Sequence, residues 1–149
     1  TKKVRIEIPH DQLMALNTTE ATTFLTAESR YEISTLSPAL STRFVRITLV
    51  NPMLTERVTI DLGLEYSDLM GGRSAAIKGM TIVEIKQDGN TTSTAKEILL
   101  GLRVKPMRIS KYCLGTALTV EGIKRNRMLQ KIRDIEKCIG YNKIVINNL

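Results

Sequence analysis

Residues 43–64 read RFVRITLVNPMLTERVTIDLGL and predict an antiparallel β-hairpin. Apolar and polar side chains alternate on both sides of Asn51-Pro52, and a β-strand sends alternate side chains to opposite faces. Asn and Pro are turn residues, so strands at 43–50 and 56–64 are expected to be connected there. Each strand then has one apolar face and one polar face. The polar face of the pair carries Arg46, Arg57 and Asp61.

Two further segments, residues 2–8 and residues 80–86, show the same alternation and are predicted to be strands. Their charged parity holds Lys3 and Arg5 in the first segment, and Glu84 and Lys86 in the second. A solvated face of an ordinary antiparallel sheet accounts for this pattern, with Arg46 and Arg57 paired to Asp61 or Glu65. A closed barrel with a charged central tunnel also accounts for it. In such a tunnel, one carboxylate among the cations would recruit a divalent metal that bridges phosphate oxygens.

The rest of the chain has helical periodicity rather than strand alternation. Helices are predicted at 11–28 with a weak break near Asn17, at 36–40, from a capping box at Thr94–Glu97 to before Pro106, at 109–118 and at 124–139. Residues 67–76 are predicted to be a loop or a hairpin excursion. The expected fold is one α+β domain: a mainly antiparallel sheet that forms part of a tunnel-like β-barrel, with helices packed outside and a helical C-terminal region.

Charge and composition narrow the class of partner. The chain has 149 residues, with 22 Lys+Arg against 15 Asp+Glu and a net charge of +7, which favours an anionic partner such as phosphate, nucleic acid or an acidic surface. Cys113 and Cys138 lack metal-ligand spacing and are expected to be buried reduced thiols of a cytoplasmic protein. His10 is the one histidine, so a zinc site or a Ser-His-Asp triad has little to build on. The sequence has neither a membrane-length apolar run nor a signal-peptide core.

Three motifs in this order, RFVRITLVNPMLTERVTIDLGL, VEIKQDG and RISKYCLG, resemble the VTC domain. That domain is the polyphosphate polymerase module of the vacuolar transporter chaperone complex, within the triphosphate tunnel metalloenzyme (CYTH-like) superfamily. The resemblance covers Tyr31 to about Lys137, with weaker agreement over TKKVRIEI. The E-x-E-x-K strand and the strand with two alternating arginines of the family's first half have no counterpart here. The resemblance therefore implies that this chain corresponds to the C-terminal half to two thirds of the family domain.

The resemblance also implies roles for individual residues. Phosphate binding is implied for Lys3, Arg5, Arg46, Arg57, Lys86, Arg108, Ser110 and Lys111. Arg46, Arg57 and Lys86 would also take part in catalysis. Glu84 would hold a divalent metal, manganese or magnesium. Phe44 would stack on the nucleotide base, at a position where some family members have Tyr. Ser110 is also predicted, from its own position, to be the N-cap of a helix, a role compatible with phosphate binding.

The function implied is that of a polyphosphate polymerase-type phosphotransferase domain, which transfers the γ-phosphate of ATP to a growing polyphosphate chain in a basic, metal-dependent tunnel. ATP and inorganic polyphosphate are the expected partners, and this chain alone is expected to be inactive. One alternative is a tunnel domain that binds or hydrolyses triphosphate or polyphosphate. Another is a basic nucleic-acid-binding module, against which stand an aromatic content of 4% and the lack of a recognisable nucleic-acid-binding motif. Pairing of the open sheet edges of a partial barrel with a second copy would give a homo-oligomer.

Overall fold

The computed structural model describes residues 4–9, 12, 18–89 and 92–148. The chain forms two compact units, Thr1–Ala39 and Leu40–Leu149. In the first unit, helix α1 spans Thr19–Glu28, and Thr18 caps it by accepting a hydrogen bond from the backbone N–H of Ala21. A 3₁₀ turn follows at Ile33–Thr35.

Two sequence predictions for this region are wrong. Residues 4–8, the described part of the strand predicted at 2–8, have no regular structure. The described sheet consists of other segments, so these residues lack the hydrogen-bonded neighbour that a strand requires. The helix predicted at 36–40 is also absent, because Pro38 disfavours helical backbone at the residue before it and Leu40 already belongs to a strand.

The second unit contains a four-stranded antiparallel sheet. Its strands are β1 (Leu40–Val50), β2 (Glu56–Asp68), β3 (Arg73–Gln87) and β4 (Ile144–Asn148), paired in that order. The predicted hairpin is confirmed, with longer strands, and the loop predicted at 67–76 shrinks to a short turn. Strand β4 was not predicted. The α+β class is confirmed, but the sheet is open among the described residues and is not closed into a barrel.

Three helices complete the second unit: α2 (Thr94–Gly101), α3 (Lys111–Thr119) and α4 (Asn126–Ile139). All three were predicted. The cap of α2 is Ser93, whose Oγ accepts a hydrogen bond from the backbone N–H of Lys96 at 3.1 Å, so the predicted capping box is displaced by one residue. The cap of α3 is Ser110, as predicted, and its Oγ accepts from the N–H of Cys113.

A bulge in β2 changes which side chains share a face. At Gly63, which has a φ of +63°, the register of β2 shifts against both of its neighbours, β1 and β3. An extra residue in one strand reverses its alternation beyond the bulge, and glycine takes a positive φ without steric cost. Asp61 and Leu64 consequently face the same side of the sheet, three residues apart. The polar face of the hairpin therefore continues directly into the core face.

The hydrophobic core lies between that face and helices α3 and α4. It is formed by Leu64, Tyr66, Ala75 and Ile77 of the sheet together with Leu114, Leu118 and Ile135 of the helices. The backbone of α3 lies close to the sheet at Gly115, which contacts Tyr66 and Leu40. This close packing fixes the N-terminal end of α3 at the point where the core face becomes polar.

The opposite face of the sheet is apolar and open. Val45, Ile47 and Leu49 of β1 and Val83 of β3 are exposed in this unit. Helix α3 thus packs on the face of the sheet that also carries the charged residues. The sequence predicted helices on the opposite, apolar face. Cys113 and Cys138 are free and exposed, so their predicted burial is wrong. Among the described residues, no helix has both the length and the apolar character needed to cross a membrane.

Gly115→Ala is expected to lower the free energy of unfolding by about 1–3 kcal/mol, because a Cβ would overlap the Tyr66 ring and the Leu40 side chain. The helix preference of alanine, about 1 kcal/mol, only partly offsets this loss. Gly101→Ala in α2 is the matched control, since no atom lies within 4 Å of a Cβ there. Urea unfolding measures both. Equal stabilities of the two variants would contradict the packing of α3 on Tyr66.

Candidate phosphate-binding site

A buried carboxylate joins three elements at the polar end of the core face. Asp61 of β2 has no exposed side-chain surface. Its Oδ1 accepts a hydrogen bond from Arg46 Nε at 2.6 Å, and its Oδ2 accepts one from Arg46 Nη2 at 2.8 Å. Lys111, the first residue of α3, places Nζ 2.6 Å from the same Oδ2. Strands β1 and β2 and the N-terminus of α3 are therefore held by one acidic group.

These contacts determine the charge state of the cluster. The hydrogen bonds from Arg46, followed by those from Lys111, lower the pKa of Asp61 from 3.8 to about 2, although burial of the carboxylate opposes them. The same hydrogen bond raises the pKa of Arg46. Near neutral pH the cluster contains two cations and one anion, a net charge of +1. The cluster therefore still attracts an external anion, and its two cations are held in fixed positions.

The Phe44 ring also contacts both cations of the cluster. Arg46 Cζ lies 5.1 Å from the ring centroid and Lys111 Nζ lies 5.0 Å from it, within the range of cation–π attraction. Phe44 is half-buried and packs against the core. Phe44 therefore restrains the two cationic groups, and stacking of a nucleotide base on it stays a prediction.

The start of α3 contributes further to this cluster. Ser110 caps the helix, and the free N–H groups and the dipole at a helix N-terminus favour negative charge. Lys111 occupies the first helical position, so its ammonium group and the helix terminus meet beside Asp61. The predicted dual role of Ser110 is confirmed for the cap, and its contact with phosphate stays a prediction.

Three more charged residues share this face through strand register. Arg57 of β2 lies opposite Lys86 of β3. Glu84 of β3 lies opposite Thr59, which precedes Asp61 by two residues in β2. Lys86 Nζ is 3.1 Å from Glu84 Oε1, and the two side chains are 50% and 45% exposed. Glu84 is close enough to Arg46 to raise its pKa. Arg57 is exposed and has no ion-pair partner in the part of the chain that the structure describes.

The structure brings most of the predicted site residues together. Phe44, Arg46, Arg57, Glu84, Lys86, Ser110 and Lys111 all belong to one face of the sheet or to the helix end that covers it. Arg108 is exposed in the segment before α3. Arg5 is exposed in the first unit, and Lys3 lies outside the described residues. The roles of these residues in phosphate binding and catalysis stay predictions.

Asp61 is the residue whose part in the site the sequence analysis did not identify. The sequence pattern predicted Asp61 only as an ion-pair partner of an arginine on a solvated face. The pairing with Arg46 is confirmed. Its complete burial and its second partner, Lys111, depend on the docking of α3. The available signal was the hairpin register, which places Asp61 directly opposite Arg46.

A metal site made by this unit alone would be poor in ligands. The described residues contain no group of three or more His, Cys, Asp or Glu side chains that could hold a metal ion. Both oxygens of Asp61 already accept hydrogen bonds, which leaves Glu84 as the accessible carboxylate of this face. A single carboxylate suits Mg²⁺ or Mn²⁺ when substrate phosphates and water supply the remaining ligands.

Comparison with known proteins identifies a family. The family model described as VTC domain matches residues 2–120 of the 149-residue chain. No curated protein and no solved structure matches the chain. The matched range includes every predicted site residue.

Asp61→Asn is expected to lower the free energy of unfolding at pH 7 by about 1–3 kcal/mol, because the hydrogen bonds to two cations lose their ionised acceptor. The pKa of Asp61 is lowered from 3.8 to about 2, so its contribution is complete well above pH 4 and declines as the pH falls toward 2. The difference between wild type and variant should therefore shrink over that interval in urea unfolding.

Glu65→Gln is the matched control, because Glu65 makes only an exposed, 3.8 Å ion pair with Arg43. It should change stability by less than about 0.5 kcal/mol. A difference between wild type and Asp61→Asn that stays constant down to pH 2 would contradict the buried ion cluster.

Proposed function

The chain belongs to the VTC-domain family, a membership that indicates a polyphosphate-related function, and on this premise we propose a phosphotransferase role for it. The proposed reaction transfers the γ-phosphate of ATP to a growing polyphosphate chain. The observation that carries the proposal is the charged face of β1, β2 and β3. Four cations, Arg46, Arg57, Lys86 and Lys111, lie there with two carboxylates, a surplus of two positive charges.

Arg46 and Lys111 are suited to hold phosphate because their positions are fixed before any ligand arrives. Arg46 donates Nε–H and one N–H of Nη2 to Asp61, so three of its five N–H groups remain for an anion. Lys111 likewise retains N–H donors beyond the one that Asp61 accepts. Donors held in advance need little reorganisation as charge develops on a transferring phosphoryl group. No covalent nucleophile from the protein is required, since phosphoryl transfer depends on positioning and electrostatics.

Arg57 and Lys86 would act differently from that fixed pair. Arg57 has no ion-pair partner among the described residues and can turn toward a phosphate. Lys86 is held by Glu84 in an exposed pair that is weak in water. A phosphate that displaces Lys86 from Glu84 gains an ammonium contact and leaves a carboxylate beside the anion.

Glu84 is the residue proposed to hold manganese or magnesium. A bound divalent ion would neutralise phosphate charge and orient the oxygens for in-line transfer. Binding of the ion by Glu84 would also release Lys86 toward the phosphate, since one carboxylate cannot hold both at full strength. The exposure of Glu84, 45%, leaves its oxygens accessible to solvent and ions.

A closed tunnel around this face is part of the proposal. Among the described residues, the outer edge of β1 has no strand beside it, and β4 pairs only with residues 73–77 of β3, so the edge of β1 and the rest of β3 can accept further strands. We propose that additional strands close the charged face, and that this chain by itself binds polyphosphate without turning over ATP. A second copy that pairs along the same edges would produce a homo-oligomer instead.

Arg57→Ala is expected to weaken binding of tripolyphosphate by about tenfold, equivalent to about 1.4 kcal/mol, because it removes an unneutralised cation from the site. Isothermal titration calorimetry of the 149-residue chain measures this. Arg43→Ala is the matched control, since Arg43 lies on the same hairpin but pairs with Glu65. No binding to wild type, or equal effects of both substitutions, would contradict the assignment of this face.

Glu84→Gln is expected to act in opposite directions with and without metal. Without metal it should leave tripolyphosphate affinity equal or higher, because it removes a negative charge and frees Lys86. With manganese, wild type should bind several-fold more tightly than without, and the variant should show no such gain. Titrations with and without manganese decide this. A manganese gain that survives in Glu84→Gln would place the ion elsewhere.

A further inference from the structure

Helix α4 carries basic residues that the proposed site does not use. The helix and the loop before it contain six of them: Lys124, Arg125, Arg127, Lys131, Arg133 and Lys137. The apolar side of the helix packs on the core through Met128, Ile132 and Ile135. A basic helix face is often merely solvated, so a binding role requires a connection to a site.

Lys131 provides that connection. Its Nζ donates a hydrogen bond to the backbone carbonyl of Arg108 at 2.6 Å, which fixes α4 against the segment that precedes α3. Ile109 packs on the core, whereas Arg108 and Ser110 on either side of it are exposed. Arg108 and Lys111 are three residues apart, a span of at most about 10 Å in extended chain. Positive charge therefore continues from the buried cluster to α4.

Arg127 extends the row by one more step. It precedes Lys131 by four residues, so the two side chains are neighbours on one face of α4. Arg127 is exposed, and neither residue has an acidic ion-pair partner within the described part of the chain. The nearest acid along the helix, Asp134, accepts a hydrogen bond from Gln130 instead. No acidic side chain among the described residues forms an ion pair with a cation of this row.

We propose that Arg108, Lys131 and Arg127 form a basic track for the part of a polyphosphate chain that extends beyond the cluster at Asp61. The proposal rests on the proposed function, because the track begins where that site ends. A linear, flexible polyanion can follow such a row and gain a charge-assisted contact at each cation. A triphosphate fills the site alone, whereas a longer chain also contacts the track. The structure thus assigns a preference for long chains to α4.

The test compares two ligands on two variants of the 149-residue chain. Tripolyphosphate and a long polyphosphate of defined length are titrated into wild type, Arg127→Ala and Arg133→Ala. Arg133 is also exposed on α4 but stands two residues from Lys131, on another face, and so is the matched control. Thermal melting verifies that both variants fold as wild type does.

Arg127→Ala should weaken long-chain affinity by about threefold to tenfold and reduce the salt dependence of binding by about one phosphate contact. Tripolyphosphate affinity should not change. Arg133→Ala should affect neither ligand. Equal losses for both variants would overturn the track, because they would show a diffuse charge effect. A loss of tripolyphosphate binding in Arg127→Ala would overturn it as well.

The outcomes separate the track from the proposed function. If tripolyphosphate binding depends on Arg57 but long-chain binding does not depend on Arg127, the track is overturned and the proposed site is supported. If the long chain binds through Arg127 but tripolyphosphate does not bind, the proposed site is overturned and the binding of polyphosphate by the basic residues of α4 is supported. Binding of neither ligand overturns both. A single-stranded oligonucleotide that competes with the long chain and binds through Arg127 would overturn the ligand assignment in favour of nucleic acid.

Discussion

The burial of one carboxylate, Asp61, is the constraint on which this structure depends. A charge removed from water is costly unless it is paired and hydrogen-bonded, and Asp61 meets both conditions through the fork of Arg46 and the ammonium of Lys111. The arginine sets the register of the first hairpin, and the lysine fixes where α3 begins. Hence a single acidic group aligns two strands and a helix, and the cations that balance it become the rigid part of the candidate site.

The bulge at Gly63 determines where this cluster lies. By reversing the alternation of β2, it places Asp61 and Leu64 on one side of the sheet, so polar and apolar side chains share a continuous face. Packing of α3 on Leu64 and Tyr66 then delivers Lys111 and the helix N-terminus to Asp61. The core supports the site directly, and its precision comes from close packing rather than from a loop.

The cations of the charged face occur in three different states. Arg46 and Lys111 are held by a buried acid, Lys86 is held by the exposed Glu84, and Arg57 is unpaired among the described residues. In the proposed function, the first state supplies fixed geometry, the second would be exchanged for a metal or a phosphate, and the third supplies net charge. Such a gradation suits a ligand that is highly charged and must also move through the site. In the part of the chain that the structure describes, the face opposite the charged residues is apolar and exposed, and the outer edge of β1 and the end of β3 beyond β4 have no neighbouring strand.

The sequence by itself determined the strands β1 to β3, the turn at Asn51-Pro52 and the helices α2 to α4, because alternation, turn residues and caps act over a few neighbouring residues. It also placed the main cations on one parity. The depth of Asp61, the strand β4 and the exposure of the two cysteines depended on contacts between residues far apart in the chain. The strand predicted at 2–8 failed for the same reason in its described residues, since a strand exists only beside a partner. Local chemistry thus decided most of the elements, whereas tertiary packing decided which further strand could pair and which faces became core and which became site.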